Sequence, residues 1–207
     1  MIAFLLFALF LIFLVLILTF LGLDFIAVLL GIFILIFLGL TLILTIRECY
    51  RVFKGNAPFL SSDRRLIKRI IEEIDFKDGS VVYELGCGEA KFLRELSKKK
   101  NIKAVGYEYF LIPYLMANIL NFFSGQKIKI HYRDFFKANL QDADYVFCFL
   151  ICDEMDRLEK KLQQELKSEA IVISNTFSFK NWQLQKIIMV DEKRGKSLNN
   201  KIYIYQK

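Results

Sequence analysis

The stretch VVYELGCGEA, Val81–Ala90, decides the fold. Its β-branched and aromatic residues, ending at Glu84, predict a buried strand, and Gly86 and Gly88 predict a tight turn into a helix. A glycine turn between a strand and a helix lets a ligand approach the backbone closely. The stretch therefore predicts an α/β fold with a ligand site at the carboxyl end of its first strand.

Two more carboxylates follow at the ends of the next predicted strands. Glu108 lies twenty residues after Gly88, and Asp134 lies twenty-six residues after Glu108. Carboxyl ends of parallel strands share one edge of the sheet, where α/β proteins bind their ligands. At this position a carboxylate can accept hydrogen bonds from both hydroxyls of a ribose.

Two nucleoside cofactors compete to explain these residues. A nicotinamide dinucleotide explains the two glycines and Glu108, but its phosphate fingerprint requires a third glycine where Lys91 stands. S-adenosylmethionine carries an amino acid end, a ribose and an adenine but no phosphate, and it also uses Glu84 and Asp134. The pattern therefore favours S-adenosylmethionine.

Strands and helices alternate along the rest of the chain, which predicts one domain with a mostly parallel sheet. Helices are predicted at 63–74, 89–99, 112–123 and 154–166, and strands at 81–85, 104–107, 127–131, 145–150 and 170–174. Two last strands, 186–190 and 201–205, surround a polar segment and predict a C-terminal antiparallel hairpin. The globular domain is predicted to span residues 63–207.

The first 46 residues are apolar, and Asp24 is their only charged residue. A helix needs roughly 20 apolar residues to cross a bilayer, so this length suits two crossings. Gly22, Leu23 and Asp24 predict the turn between helices at 2–21 and 25–46, because a carboxylate is costly at mid-membrane. The alternative is a single crossing with an interfacial first segment. Residues 47–62 are predicted to be a juxtamembrane linker.

Basic residues place the globular domain on the cytoplasmic side of the membrane. Arg47, Arg51 and Lys54 follow the second apolar helix, as the positive-inside rule requires. The formal net charge of +7 favours contact with an anionic leaflet. Nucleic acid is the competing partner, but no nucleic-acid motif accompanies the charge.

The cysteines and the single histidine predict no metal site. Cys49, Cys87, Cys148 and Cys152 lack the spacing of paired ligands, so they are expected to be reduced thiols. His131 has no cluster of acids or cysteines around it in the sequence and is expected to be structural.

Several segments together resemble the class I, seven-β-strand methyltransferases. More narrowly, they are similar to the membrane-anchored lysine methyltransferase family that includes the mitochondrial enzyme for the c-ring protein of ATP synthase. The segments are NAPFLSS (56–62), YELGCGEAKFL (83–93), AVGYEYF (104–110), YRDFF (132–136) and DADYVFCFLICDE (142–154). Two positions depart from the family pattern: Ala90 replaces a glycine, and a second proline after Pro58 is absent.

The resemblance implies a Rossmann-like sheet, and it implies which residues bind each part of the cofactor. Glu84, Gly86 and Gly88 would hold the methionine part and Glu108 the ribose. Asp134 with Phe135 would hold the adenine.

The residues after the fourth strand are predicted to form the slot for the methyl acceptor. Phe147, Phe149 and Cys152 would line it, and Asp153 or Glu154 would orient an amine or accept its proton. The two acids equally suit a helix N-terminus, where negative charge is favourable. Asn181 and Trp182, after the fifth strand, are placed at the substrate rim.

The leading hypothesis is a protein-lysine N-methyltransferase whose substrate is a membrane protein with a lysine near the cytoplasmic surface. The alternatives are a methyltransferase for a lipid or a membrane-dissolved small molecule, and an S-adenosylmethionine-binding membrane protein without turnover. The sequence does not indicate an oligomeric state.

Overall fold

The computed structural model describes residues 2–53, 63–150, 152–190 and 200–207; the side chains of 2–8, 48–53 and 152–154 are not described. The chain divides into two compact units, Met1–Asn56 and Ala57–Lys207. Each unit is taken separately below.

The first unit consists of two apolar helices. Helix α1 spans Ile2–Phe20 and helix α2 spans Asp24–Phe53, with a turn between them in which Gly22 has φ 74°. Asp24 begins α2 and does not lie in the turn, because a carboxylate is favourable in the first turn of a helix. The segment Asp24–Arg47 is long and apolar enough to cross a membrane. Among the residues that the structure describes it is the one such helix, so the predicted pair of crossings stays a prediction.

The second unit is a seven-stranded mixed sheet with helices on its faces. Its helices are α3 (Arg64–Glu73), α4 (Lys91–Ser97), α5 (Leu111–Ser124) and α6 (Cys152–Glu165). Its strands are β1 (Val81–Leu85), β2 (Lys103–Glu108), β3 (Ile128–Tyr132), β4 (Tyr145–Cys148), β5 (Ile171–Asn175), β6 (Leu184–Met189) and β7 (Lys201–Gln206).

The strand order is β3-β2-β1-β4-β5-β7-β6. The first five strands are parallel, and β7 is antiparallel to both β5 and β6. The predicted parallel sheet with an antiparallel C-terminal hairpin is therefore confirmed. Strand β7 enters between β5 and β6, so the hairpin extends the sheet and does not lie apart from it.

Two apolar layers enclose the sheet because side chains alternate between its faces. On β4, Tyr145 and Phe147 join the layer that also contains α3 and α4, whereas Val146 and Cys148 join the layer that contains α6. Helix α3 begins at its cap Asp63, whose side chain accepts from Arg65 N at 2.9 Å.

Several predicted boundaries differ from the structure by one or two residues, and two of these differences lie next to the site. Helix α4 begins at Lys91, two residues later than expected, because Ala90 has a left-handed φ of 54° and stands outside the helix. Strand β4 ends at Cys148 and not at 150. The first difference lengthens the loop after β1, whereas the second moves the loop after β4 two residues earlier, because α6 begins at Cys152 and not at 154. Both loops lie at the carboxyl edge of the sheet, where a ligand site is expected.

Candidate functional site

The turn after β1 contains three residues with left-handed backbone: Gly86 at φ 69°, Gly88 at φ 55° and Ala90 at φ 54°. A Cβ added at Gly86 would lie 3.0 Å from Leu150 Cδ2, so space as well as conformation favours glycine there. The N–H of Cys87 donates to Tyr107 O at 2.9 Å and connects the turn to β2.

Glu108 ends β2 and is 5% exposed. Its Oε2 accepts from Gly88 N and its Oε1 accepts from Phe110 N, both at 2.7 Å. One carboxylate thus holds the glycine turn and the start of the segment leading to α5. A carboxylate offers about four lone-pair positions and can accept several hydrogen bonds at once. The position fits the role predicted for Glu108.

Glu84 is the second buried acid, on β1, and is also 5% exposed. Its Oε2 accepts from Leu93 N at 3.4 Å. Burial raises the pKa of Glu84 well above 4.5, against the lowering effects of the Leu93 N–H and the Arg94 guanidinium. A cation brought next to Glu84 would offset the cost of burying its negative charge. The ammonium and sulfonium groups of S-adenosylmethionine are such cations.

Asp134 and Phe135 follow β3 at the same edge of the sheet. Asp134 is partly exposed and accepts from Phe136 N at 2.9 Å, which caps a short 3-10 turn, Phe135–Lys137. Phe135 is buried, with its ring 4.5 Å from that of Phe136. Asp134 thus has acceptor capacity beside an aromatic surface, which fits an adenine with its exocyclic amine.

The register of the sheet brings the three acids to one edge. Leu85 pairs with Tyr107, and Glu108 pairs with Tyr132. The N–H of Arg133 then donates to Glu108 O at 3.0 Å, next to Asp134. The sequence-based expectation that Glu84, Glu108 and the Asp134 turn share the carboxyl edge agrees with this register. Their individual contacts with a cofactor stay predictions.

The two aromatics predicted for the acceptor slot differ in their environment. Phe147 is 1% exposed and packs in the core, with its ring 4.3 Å from that of Phe92. Phe149 lies beyond the end of β4 and is only partly buried. The structure therefore gives Phe147 a packing role and leaves Phe149 as the aromatic nearer to the site edge.

The remaining predicted slot residues begin α6. Cys152, Asp153 and Glu154 form its first turn, but their side chains lie outside the described residues. Their predicted parts in holding the acceptor or moving its proton stay predictions.

The expectation that Asn181 and Trp182 form a substrate rim is wrong. Trp182 Nε1 donates to Gln206 O at 3.0 Å, and Gln206 pairs with Ile171, the first residue of β5. Trp182 therefore lies toward the amino edge of the sheet, opposite the glycine turn. The segment after β5 crosses the sheet before β6 begins, which its sequence does not indicate.

Close packing at Gly106 was not expected from the sequence. A Cβ added there would lie 2.8 Å from Cys87 Sγ, so β2 and the glycine turn approach each other only because Gly106 lacks a side chain. A glycine inside a predicted strand is the available signal for such an approach.

The described cysteines are buried thiols. Burial raises the pKa of Cys87 well above its ordinary value and that of Cys148 to about 12. Among the side chains that the structure describes, no cluster of three His, Cys, Asp or Glu residues could hold a metal ion.

Comparisons with known proteins agree with this geometry. Residues 84–186, about half of the chain, match the family model described as the ANTKMT methyltransferase domain. A protein-lysine N-methyltransferase of Saccharolobus islandicus is 28% identical over 72% of this chain and 93% of its own length. The mouse adenine nucleotide translocase lysine N-methyltransferase is 28% identical over 62% of this chain but only 56% of its own length.

The fold has relatives among solved structures. An RNA methyltransferase of Salinibacter ruber, in complex with S-adenosyl-L-homocysteine, superposes with a TM-score of 0.65. It is 19% identical, and the match covers 71% of this chain and 93% of that one. At this identity the likeness concerns the fold alone.

Proposed function

Because this chain is a class I S-adenosylmethionine-dependent methyltransferase, we propose that it methylates a lysine of a membrane protein at the cytoplasmic face. The observation that carries the lysine assignment is the Saccharolobus relative, which is named a protein-lysine N-methyltransferase and matches this chain over 93% of its own length. The chain spans about half of the mouse relative, so that protein's full activity is not carried over.

Each part of the cofactor corresponds to a residue of the site. Glu84 and the turn of Gly86 and Gly88 would hold the methionine part, Glu108 the ribose, and Asp134 with Phe135 the adenine. S-adenosylmethionine supplies a methyl group already activated by the positive sulfur. The protein therefore has to bind the cofactor, orient the methyl acceptor toward its methyl group and exclude water. The bonds of Glu108 to Gly88 N and Phe110 N support this role, because they hold the turn before any ligand binds.

A lysine amine has to lose its proton before it can act as a nucleophile. An apolar slot lowers the pKa of an ammonium group by desolvation. Phe149, which is partly buried just beyond the end of β4, would provide an aromatic wall of this slot. Asp153 or Glu154, in the first turn of α6, would orient the ammonium or accept its proton. Cys152 would line the same slot.

A membrane location explains how enzyme and acceptor meet. We retain residues 1–46 as the anchor, 47–62 as the linker and 63–207 as the catalytic domain. The apolar span Asp24–Arg47 supports the anchor, and the basic residues after it support the cytoplasmic face. Confining both partners to one layer raises their effective concentration without additional contacts. The mouse relative is named for adenine nucleotide translocase, a membrane protein, which favours an acceptor of that kind.

The test follows a labelled methyl group from S-adenosylmethionine into membranes of the organism from which the protein comes. Full-length protein is incubated with these membranes, and the label is separated into protein, lipid and nucleic-acid fractions. We expect label in protein with the wild type and a large loss with Glu108→Ala. Label in the lipid fraction would establish the lipid methyltransferase alternative. No transfer to any fraction, despite cofactor binding, would support a protein without turnover.

A further inference from the structure

Helix α5 carries an apolar stripe that the globular domain does not cover. Its sequence, LIPYLMANILNFFS, contains no charged residue, and Ala117 is its one buried residue. Six large hydrophobics are exposed at helical spacing: Ile112, Leu115, Met116, Ile119, Phe122 and Phe123. We call these six residues the α5 stripe.

The size of the stripe sets it apart from ordinary exposed side chains. Phe122 is 81% and Phe123 79% exposed, and the other four members are 49–56% exposed. At about 200 Å² for a phenylalanine, the two rings alone expose roughly 300 Å². A contiguous apolar patch of several hundred Å² marks an interaction site in a soluble domain.

The surroundings of the stripe are basic. From Tyr109 to Arg133 the sequence has no aspartate or glutamate, and Lys127 is exposed in the turn just beyond the end of the helix. Tyr132, on the neighbouring edge strand β3, is 37% exposed, and its ring lies 5.3 Å from that of Tyr114. Apolar residues with a tyrosine and a lysine at their border are typical of a helix lying in a bilayer interface.

We propose that the α5 stripe lies in the interfacial layer of an anionic membrane, with Lys127 on the lipid headgroups. A second copy of this chain fits less well, because a two-fold contact would bring the same lysine of both copies together. The inference rests in part on the proposed membrane location and adds a second membrane contact, within the catalytic domain.

The test uses full-length protein in vesicles that contain brominated lipids, which quench tryptophan on contact. Phe122→Trp places an indole on the stripe. Ile187→Trp, 46% exposed on β6 at the opposite edge of the sheet, is the matched control. The emission of the native Trp182 is measured in the protein without an added tryptophan and is subtracted. Flotation of the vesicles checks separately that the chain is membrane-bound.

We expect the indole of Phe122→Trp to lose about half of its emission in anionic vesicles, with stronger quenching from bromine near the headgroups than near the tail ends. Ile187→Trp should show no such loss. Lys127→Gln should weaken the quenching of Phe122→Trp, most clearly at low salt.

Quenching of Phe122→Trp no greater than that of Ile187→Trp, in protein that floats with the vesicles, would overturn the proposal. An emission change that follows protein concentration and not lipid would assign the stripe to self-association and overturn it equally. Failure to float would refute the membrane location on which the proposal rests. Methyl transfer is not measured, so these outcomes are distinguishable from a failure of lysine methylation.

Discussion

Replacing Glu108 with glutamine separates the cofactor role of this residue from its structural role. The carboxylate accepts from Gly88 N and Phe110 N at 2.7 Å each, in a site that is 5% exposed. An amide has a single oxygen, so one buried N–H would face an NH₂ group and lose its acceptor, at a cost of about 1–3 kcal/mol. At 2–4 °C per kcal/mol for a domain of this size, we expect the Tm to fall by roughly 5 °C.

Glu108→Gln should also weaken the binding of S-adenosylmethionine, by more than the loss of stability accounts for. A charged acceptor contributes about 1.5–3 kcal/mol to a hydrogen bond. Loss of one ribose hydroxyl bond therefore weakens the Kd for S-adenosylmethionine about 10- to 100-fold. The Kd is measured by equilibrium dialysis with labelled cofactor on detergent-solubilised full-length protein, well below the Tm of the variant.

The chain offers a matched control in Glu159. This carboxylate is 2% exposed and also accepts two backbone bonds, from Asn181 N at 2.7 Å and Lys180 N at 3.2 Å. Glu159→Gln should lower the Tm by a similar amount and leave the Kd unchanged. Equal changes of Kd in the two variants, or a wild-type Kd in Glu108→Gln, would refute the assignment of Glu108 to the ribose.

Three further changes test the geometry around the glycine turn. Gly106→Ala places a methyl group 2.8 Å from Cys87 Sγ, so urea unfolding should show a loss of about 1–3 kcal/mol; adding Cys87→Ala should restore part of it, and no restoration would contradict this packing. Gly86→Ala combines a φ of 69° with a crowded site, whereas the control Gly79→Ala, at φ 80°, has nothing within 4 Å. Both should lose about 1–2 kcal/mol to backbone strain, but only Gly86→Ala should also weaken cofactor binding in dialysis. Burial raises the pKa of Glu84 above 4.5, so the folded state keeps a proton that the unfolded state loses, and stability without cofactor falls as pH rises above about 4.5. Between about pH 5 and 8, the unfolding midpoint of Glu84→Gln should change less with pH than that of the wild type. The same pH dependence in both proteins would contradict a raised pKa for Glu84.

Much of the fold followed from local patterns in the sequence. Val81–Leu85 was predicted with its observed bounds, because a short apolar run before a glycine turn has few other solutions. The positions of Glu84, Glu108 and Asp134 then follow from parallel pairing, since each acid comes at the end of its strand. The sheet edge of the candidate site was therefore predictable before any contact was known.

Features set by tertiary packing were not predictable from the same patterns. The alternation of strand side chains places Phe147 against Phe92 in the core, but only the packed helix α4 shows that this face is closed. Trp182 follows β5 in sequence, yet the segment crosses toward the opposite edge because β7 enters between β5 and β6. The left-handed Ala90 has no sequence signal, because alanine normally favours a helix.

Identifying the methylated atom tests the proposed function most directly. Membranes from the organism that makes this protein are incubated with the full-length protein and isotopically labelled S-adenosylmethionine. The membrane protein that takes up the label is then digested and sequenced by tandem mass spectrometry. We predict the label on the side-chain nitrogen of a lysine next to an apolar membrane segment, and its loss with Glu108→Gln. Label on another residue type, or on a lysine of a water-soluble protein alone, would contradict the proposal.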